Sequence, residues 1–136
     1  MGMRHQRAES PALLNGHDAA RRFFASCFGN CEDAREQLWV AHVDDATRCL
    51  HVERYDGEPE SVDMPVREII VDAARLGSTG LVLAHNHPGG DARPSKADCR
   101  ATRKLARAAE ALDLAVLDHL IFAGQDCSSM RRMGLL

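Results

Sequence analysis

The triplet His85-Asn86-His87 follows Leu81-Val82-Leu83-Ala84, an apolar run of the kind that forms a strand buried on both faces. Side chains alternate along an extended segment, so the two histidines project to the same side at the strand's carboxyl end. Neutral imidazole is a good zinc ligand. A carboxylate is offered by Asp98, in the first turn of a helix that the Gly89-Gly90 loop can fold back toward the strand end. Ser95, one turn earlier on the same helical face, is a capping-type residue. Seven histidines in 136 residues give about 0.35 His-x-His pairs by chance, so the pair alone decides nothing. Requiring Ser at the eighth and Asp at the eleventh position after His87 lowers the chance expectation to about 0.002, so the whole spacing points to a metal centre.

The elements that must position these groups follow from periodicity and turn chemistry. A helix is predicted from Asp18, as N-cap, to Gly29-Asn30, with Phe23, Phe24, Cys27 and Phe28 on its apolar face. Residues 38–43 and 49–52 read as a hairpin turning at Asp44-Asp45-Ala46-Thr47-Arg48, with Glu36 at the mouth of its first strand. After a loop over residues 57–61, Pro65 opens a helix with Val66, Ile69, Ile70, Ala73 and Ala74 on one face, and Gly77 closes it. The helix after Ser95 buries Cys99, Thr102, Ala106, Ala109 and Leu112. A last strand spans Ala115-Val116-Leu117 and Leu120-Ile121-Phe122 around Asp118-His119, and Gly124-Gln125-Asp126 turns into a tail. The order αββαβαβ predicts an α/β fold, a mixed sheet flanked by helices, with polar chemistry where strands hand over to loops.

The spacing His85-x-His87-x7-Ser95-x2-Asp98 resembles the metal motif of the JAMM metalloprotease superfamily. Leu83-Ala84-His85-Asn86-His87-Pro88-Gly89-Gly90-Asp91, with Leu117-Asp118-His119-Leu120-Ile121, is similar to the bacterial RadC-type JAB domain. The similarity runs from about residue 18 to the end and includes Arg67-Glu68 and Gly134-Leu135-Leu136. The resemblance implies a JAB/MPN-like fold with cytidine-deaminase-like layering. It also implies one zinc held by His85, His87 and Asp98 with water in the fourth position, Glu36 as general base, and Ser95 polarising the substrate or oxyanion. Three protein ligands and one open position are what separate catalytic from structural zinc. Glu68, within a helix face, is the second choice for the base. Gly89 stands where such proteins usually carry Ser, and Pro65 lies one place from the usual proline. Both touch loop positions that bear on substrate fit. Residues 1–16 read as a flexible arm ahead of a domain over 17–136, too short for the helix-hairpin-helix region of full-length RadC proteins.

Composition narrows the classes further. The chain has 45% apolar and 27% charged residues and a formal charge of −3. It fits one globular domain, has no membrane span, and lacks an overall positive field for phosphate. The first residues show neither a signal core nor, with Gln6, a myristoylation pattern. Five cysteines without a CxxC pair suggest reduced thiols and a cytoplasmic location. Cys27 and Cys31, at helical spacing, read as core packing. Lys96, Arg100, Arg103, Lys104 and Arg107 share one face of the long helix, either as a solvated surface or as a docking face for nucleic acid or another anionic partner. His119 reads as a hydrogen-bonded core residue, and His42 and His51 face each other across the hairpin. The leading expectation is therefore a zinc metallopeptidase acting on amide or isopeptide bonds of a peptide or protein. The alternatives are a DNA-repair-associated accessory domain with little or no hydrolysis, and a zinc-stabilised interaction module.

Overall fold

The computed structural model describes residues 12–29, 35–56 and 64–136. Along them run α1 (His17–Phe28), β1 (Gln37–Val43), β2 (Cys49–Asp56), α2 (Val66–Leu76), β3 (Gly80–Asn86), α3 (Lys96–Glu110), β4 (Ala115–Ala123) and β5 (Asp126–Ser129). The strands form one mixed sheet in the order β2-β1-β3-β4-β5, with β3 and β4 parallel and the other neighbours antiparallel. A parallel pair needs a crossover, and α3 supplies it. The fold class is the expected mixed α/β one.

Because β3 is central and alternates, its residues divide between two cores. Leu81 and Leu83 pack with Ile69 and Ala73 of α2 and Leu105 and Ala109 of α3. Val82 and Ala84 pack with Ala20 and Phe24 of α1. The same alternation sends His85 toward α3 and Asn86 toward α1. Capping explains the helix boundaries. Gly77 adopts φ 70 and closes α2, a conformation that favours glycine. At α3, Ser95 and Asp98 form a reciprocal capping box.

Several expectations need correction. Helix α1 begins at His17 with Gly16 at the N-cap, φ 97, and Asp18 lies in its first turn rather than capping it. The stripe of α3 is Thr102, Leu105 and Ala109, whereas Leu112 lies beyond the helix end and is 55% exposed. Ala74 of α2 is exposed rather than facing the core. The tail expected after Gly124 contains β5, so the order is αββαβαββ. Of the expected arm, residues 1–11 lie outside the described residues. Ala12–Leu14 pack on the domain instead: Leu13 bridges to Arg48, the Leu14 amide donates to the Thr47 carbonyl at 2.9 Å, and Leu14 is buried. The loop expected over 57–61 and Cys31 also lie outside the described residues. Cys27, Cys49 and Cys127 pack against the core around Phe24, and burial raises their thiols to about 11. Among the described residues, no helix is long and apolar enough to cross a membrane.

Candidate metal centre

Strand β3 delivers His85 at its end, and the next residue is pinned by the neighbouring strand: the His87 amide donates to the Phe122 carbonyl at 2.8 Å. Gly90, at φ 94, then turns the chain so that its amide reaches the His87 carbonyl at 3.1 Å. The loop returns to the capping box, where the Ser95 amide donates to Asp98 Oδ2 at 2.8 Å and Ser95 Oγ accepts from the Asp98 amide at 3.0 Å. The cap orients the Asp98 carboxylate toward the two imidazoles.

The three groups lie close together at the end of β3. His85 Nε2 and His87 Nε2 are 2.8 Å apart. Asp98 Oδ2 lies 3.2 Å from His87 Nε2, and Oδ1 lies 3.5 Å from His85 Nε2. Ligand atoms on a tetrahedral zinc, at about 2.0–2.1 Å from the ion, are separated by about 3.3 Å. The donor set therefore matches that ion in type, with two separations of 3.2 and 3.5 Å near this value and the imidazole pair, at 2.8 Å, closer together. His87 Nδ1 lies 2.7 Å from the Asp91 carbonyl, which can only accept, so this nitrogen carries the proton and Nε2 presents a lone pair. His85 is nearly inaccessible and His87 half-buried.

Glu36 immediately precedes β1, and its carboxylate forms a cluster with the imidazoles of His85 and His87 in which the ligand-capable atoms lie within 4.8 Å of one another. Glu36, His85 and His87 are thus a set that could itself hold an ion, and the Asp98 carboxylate, 3.2 and 3.5 Å from the same two imidazoles, offers a second carboxylate to them. Two hydrogen bonds fix the backbone on either side of Glu36. Asn86 Oδ1 accepts from the Gln37 amide at 2.6 Å, and Asn86 Nδ2 donates to the Arg35 carbonyl at 3.1 Å.

Burial opposes ionisation of Asp98, but His85 and the Ser95 amide and hydroxyl outweigh it and hold the carboxyl below its usual range. His119 is fully buried, and burial, aided by the neighbouring His85, pushes its pKa well below the ordinary histidine value. It is the hydrogen-bonded core residue expected, and its partners are His85 and Thr102.

Glu68, the alternative base, is exposed on α2, outside the cluster. Ser95 is exposed at the N-terminus of α3, beside Asp98, and Lys96, Arg100, Arg103, Lys104 and Arg107 are exposed along that helix. His42 and His51 are paired in register, with ring centroids 6.4 Å apart. Asn86 and Thr102 were not singled out from sequence as site residues. The signals available were the place of Asn86 between the two histidines and that of Thr102 one turn after Asp98. A cavity of about 310 Å³, walled by Phe28, Phe122 and Pro88, opens beside His87. A family model described as RadC-like JAB domain matches residues 14–135.

Proposed function

The chain belongs to the RadC-like JAB domain family, and from that premise we propose that it is a zinc-dependent hydrolase of amide or isopeptide bonds in a peptide or protein. The observation that carries this reading is the convergence of His85 Nε2, His87 Nε2 and the Asp98 carboxylate at 2.8–3.5 Å, with a further carboxylate, Glu36, beside them. His85, His87 and Asp98 would hold the zinc, which would supply Lewis acidity and a water more acidic than bulk water, with a pKa of about 7. Glu36, outside the ligand set, takes a proton as the water oxygen bonds to the substrate carbonyl carbon, then gives it to the leaving nitrogen as the C–N bond breaks. The products are a carboxylic acid and an amine. The Ser95 hydroxyl, beside Asp98, donates to the carbonyl oxygen as negative charge develops there. The apolar cavity beside His87 accommodates a substrate side chain next to the scissile bond.

Zinc titration combined with a peptide-library digest tests the reading. The wild type should bind about one zinc per chain, and Asp98→Asn should lose that affinity. Glu36→Gln should keep zinc and lose at least about 100-fold in hydrolysis. Full affinity in Asp98→Asn would remove the ligand assignment, and undiminished cleavage by Glu36→Gln would remove the base. A zinc-loaded wild type that cleaves nothing would favour an accessory binding role instead.

A further inference from the structure

We propose that the outer face of α3 is a docking surface for an acidic segment of a partner protein, held by Lys96, Arg100, Arg103, Lys104 and Arg107. At 3.6 residues per turn these five positions fall within an arc of about 100°, opposite the buried stripe of Thr102, Leu105 and Ala109. All five residues are exposed. The one acid between Lys96 and Arg107 is Asp98, whose carboxylate meets the Ser95 amide and His87 on the other side of the helix. Among the described residues, no carboxylate forms an ion pair with any of the five.

This arrangement works against the helix that carries it. Lys96 and Arg100, Arg100 and Lys104, and Arg103 and Arg107 are like charges four residues apart, while Arg100 and Arg103, and Lys104 and Arg107, are three apart. Each such pair destabilises a helix. Lys96 adds a cation in the first turn, at the positive end of the helix dipole. A face that serves solubility alone intersperses both signs, and acids are not scarce, since the chain has 20 of them against 17 bases. A ligand of opposite charge laid along the stripe relieves the repulsion.

Length and charge select a protein segment over a nucleic acid. From Lys96 to Arg107 the helix rises about 16 Å, a distance that about five residues of extended chain cover. A DNA duplex of that length carries about ten phosphates, twice the cations on the stripe. Its surplus charge meets an unfavourable surface, because setting the five aside leaves 12 of the 17 bases against 20 acids. Single strands gain affinity by stacking on aromatic side chains, and α3 carries none. The stripe begins at Lys96, next to the Ser95–Asp98 capping box, so one end of a docked segment lies beside the turn that carries those two residues. That the docked protein is also the substrate rests on the hydrolase reading; the docking itself does not.

Fluorescence anisotropy at physiological salt, with the full chain free of metal, tests the surface. The probes are a labelled peptide alternating Glu with Ser, which sets its carboxylates on one side when extended, the same peptide with Gln for Glu, and a labelled DNA duplex. The wild type should bind the acidic peptide and not the Gln peptide. Arg100→Gln, Arg103→Gln and Arg107→Gln combined should weaken that binding by about 10-fold and, with the repulsion reduced, unfold at no lower temperature than the wild type. Equal affinity for the two peptides, or undiminished affinity in the variant, would overturn the proposal. So would a less stable variant, which would show that the cations serve the fold. Tighter binding of the duplex than of the acidic peptide, lost in the variant, would give the surface to nucleic acid instead. If the zinc-loaded protein cleaves no peptide at all, the hydrolase reading fails and the substrate role with it, while the binding data still decide the docking.

Discussion

Asn86 joins the two halves of the site: its side-chain oxygen accepts the Gln37 amide proton at 2.6 Å from the face of β3 opposite His85. The amide group of Asn86 spans to the Arg35 carbonyl as well, so one side chain between the two histidines grips the backbone before and after Glu36. Replacing it with alanine should free the segment that carries the proposed general base and leave His85, His87 and Asp98 in place. Misplacing a catalytic group by about 1 Å costs on the order of 100-fold in rate. Asn86→Ala should therefore lose about 10- to 100-fold in kcat with zinc affinity unchanged. Parallel kinetics and metal titration check this, and a variant that loses zinc but keeps its rate per bound zinc would place Asn86 with the ligands instead.

Ser95 has two duties that separate by substitution. Its oxygen caps α3 by accepting from the Asp98 amide, while its own hydroxyl proton is available to a substrate. Removing a serine cap costs about 1 kcal/mol with alanine and only a few tenths with glycine. Ser95→Ala should therefore be less stable than Ser95→Gly in urea unfolding, yet both should lose hydrolysis by a similar factor, about 100-fold for a missing oxyanion donor. Rates that follow stability, with the glycine variant close to wild type, would reduce Ser95 to a helix cap.

The convergence of His85, His87 and Asp98 was legible because it rests on local rules, strand alternation at one end and a capped helix turn at the other. Glu36 was legible only as a position beside a strand. What holds it there, Asn86, acts across the pairing of β1 with β3, and no short window shows that contact. The hydrogen-bonded burial of His119 was legible, but its side of the sheet was not, because the bulge at Leu117 breaks the period-2 pattern on which such a reading depends. Strand β5 was hidden because Asp126-Cys127-Ser128-Ser129 has little strand propensity and is held by its register with residues 120–123. The packing of Leu13 and Leu14 was hidden for a related reason: their partners lie in the hairpin turn more than 30 residues later. On α3, Leu105 replaced Leu112 in the core because the helix stops at Glu110.

The far end of the sheet gives a pH dependence independent of the metal. His42 is completely buried, its Nδ1 lies 2.9 Å from Ser78 Oγ, and its Nε2 meets no hydrogen-bond partner among the described residues. Burial lowers its pKa from 6.5 to about 4; Asp72 and Glu53 oppose the shift and His51 adds to it. Between those two values the unfolded chain binds a proton that the folded protein refuses, so the contribution is complete above 6.5 and is lost as the pH falls toward 4. A shift of this size corresponds to up to about 3 kcal/mol. His119, also lowered by burial, acts with the same sign, so His42 accounts for only part of the wild-type slope. In His42→Asn, the amide occupies the place of Nδ1 beside Ser78 and does not titrate. Urea unfolding across this range should therefore show a shallower loss of stability on acidification for the variant. Parallel pH profiles in the two proteins would mean that His42 is protonated as readily in the folded state as in the unfolded one, and that its burial carries no linkage to folding.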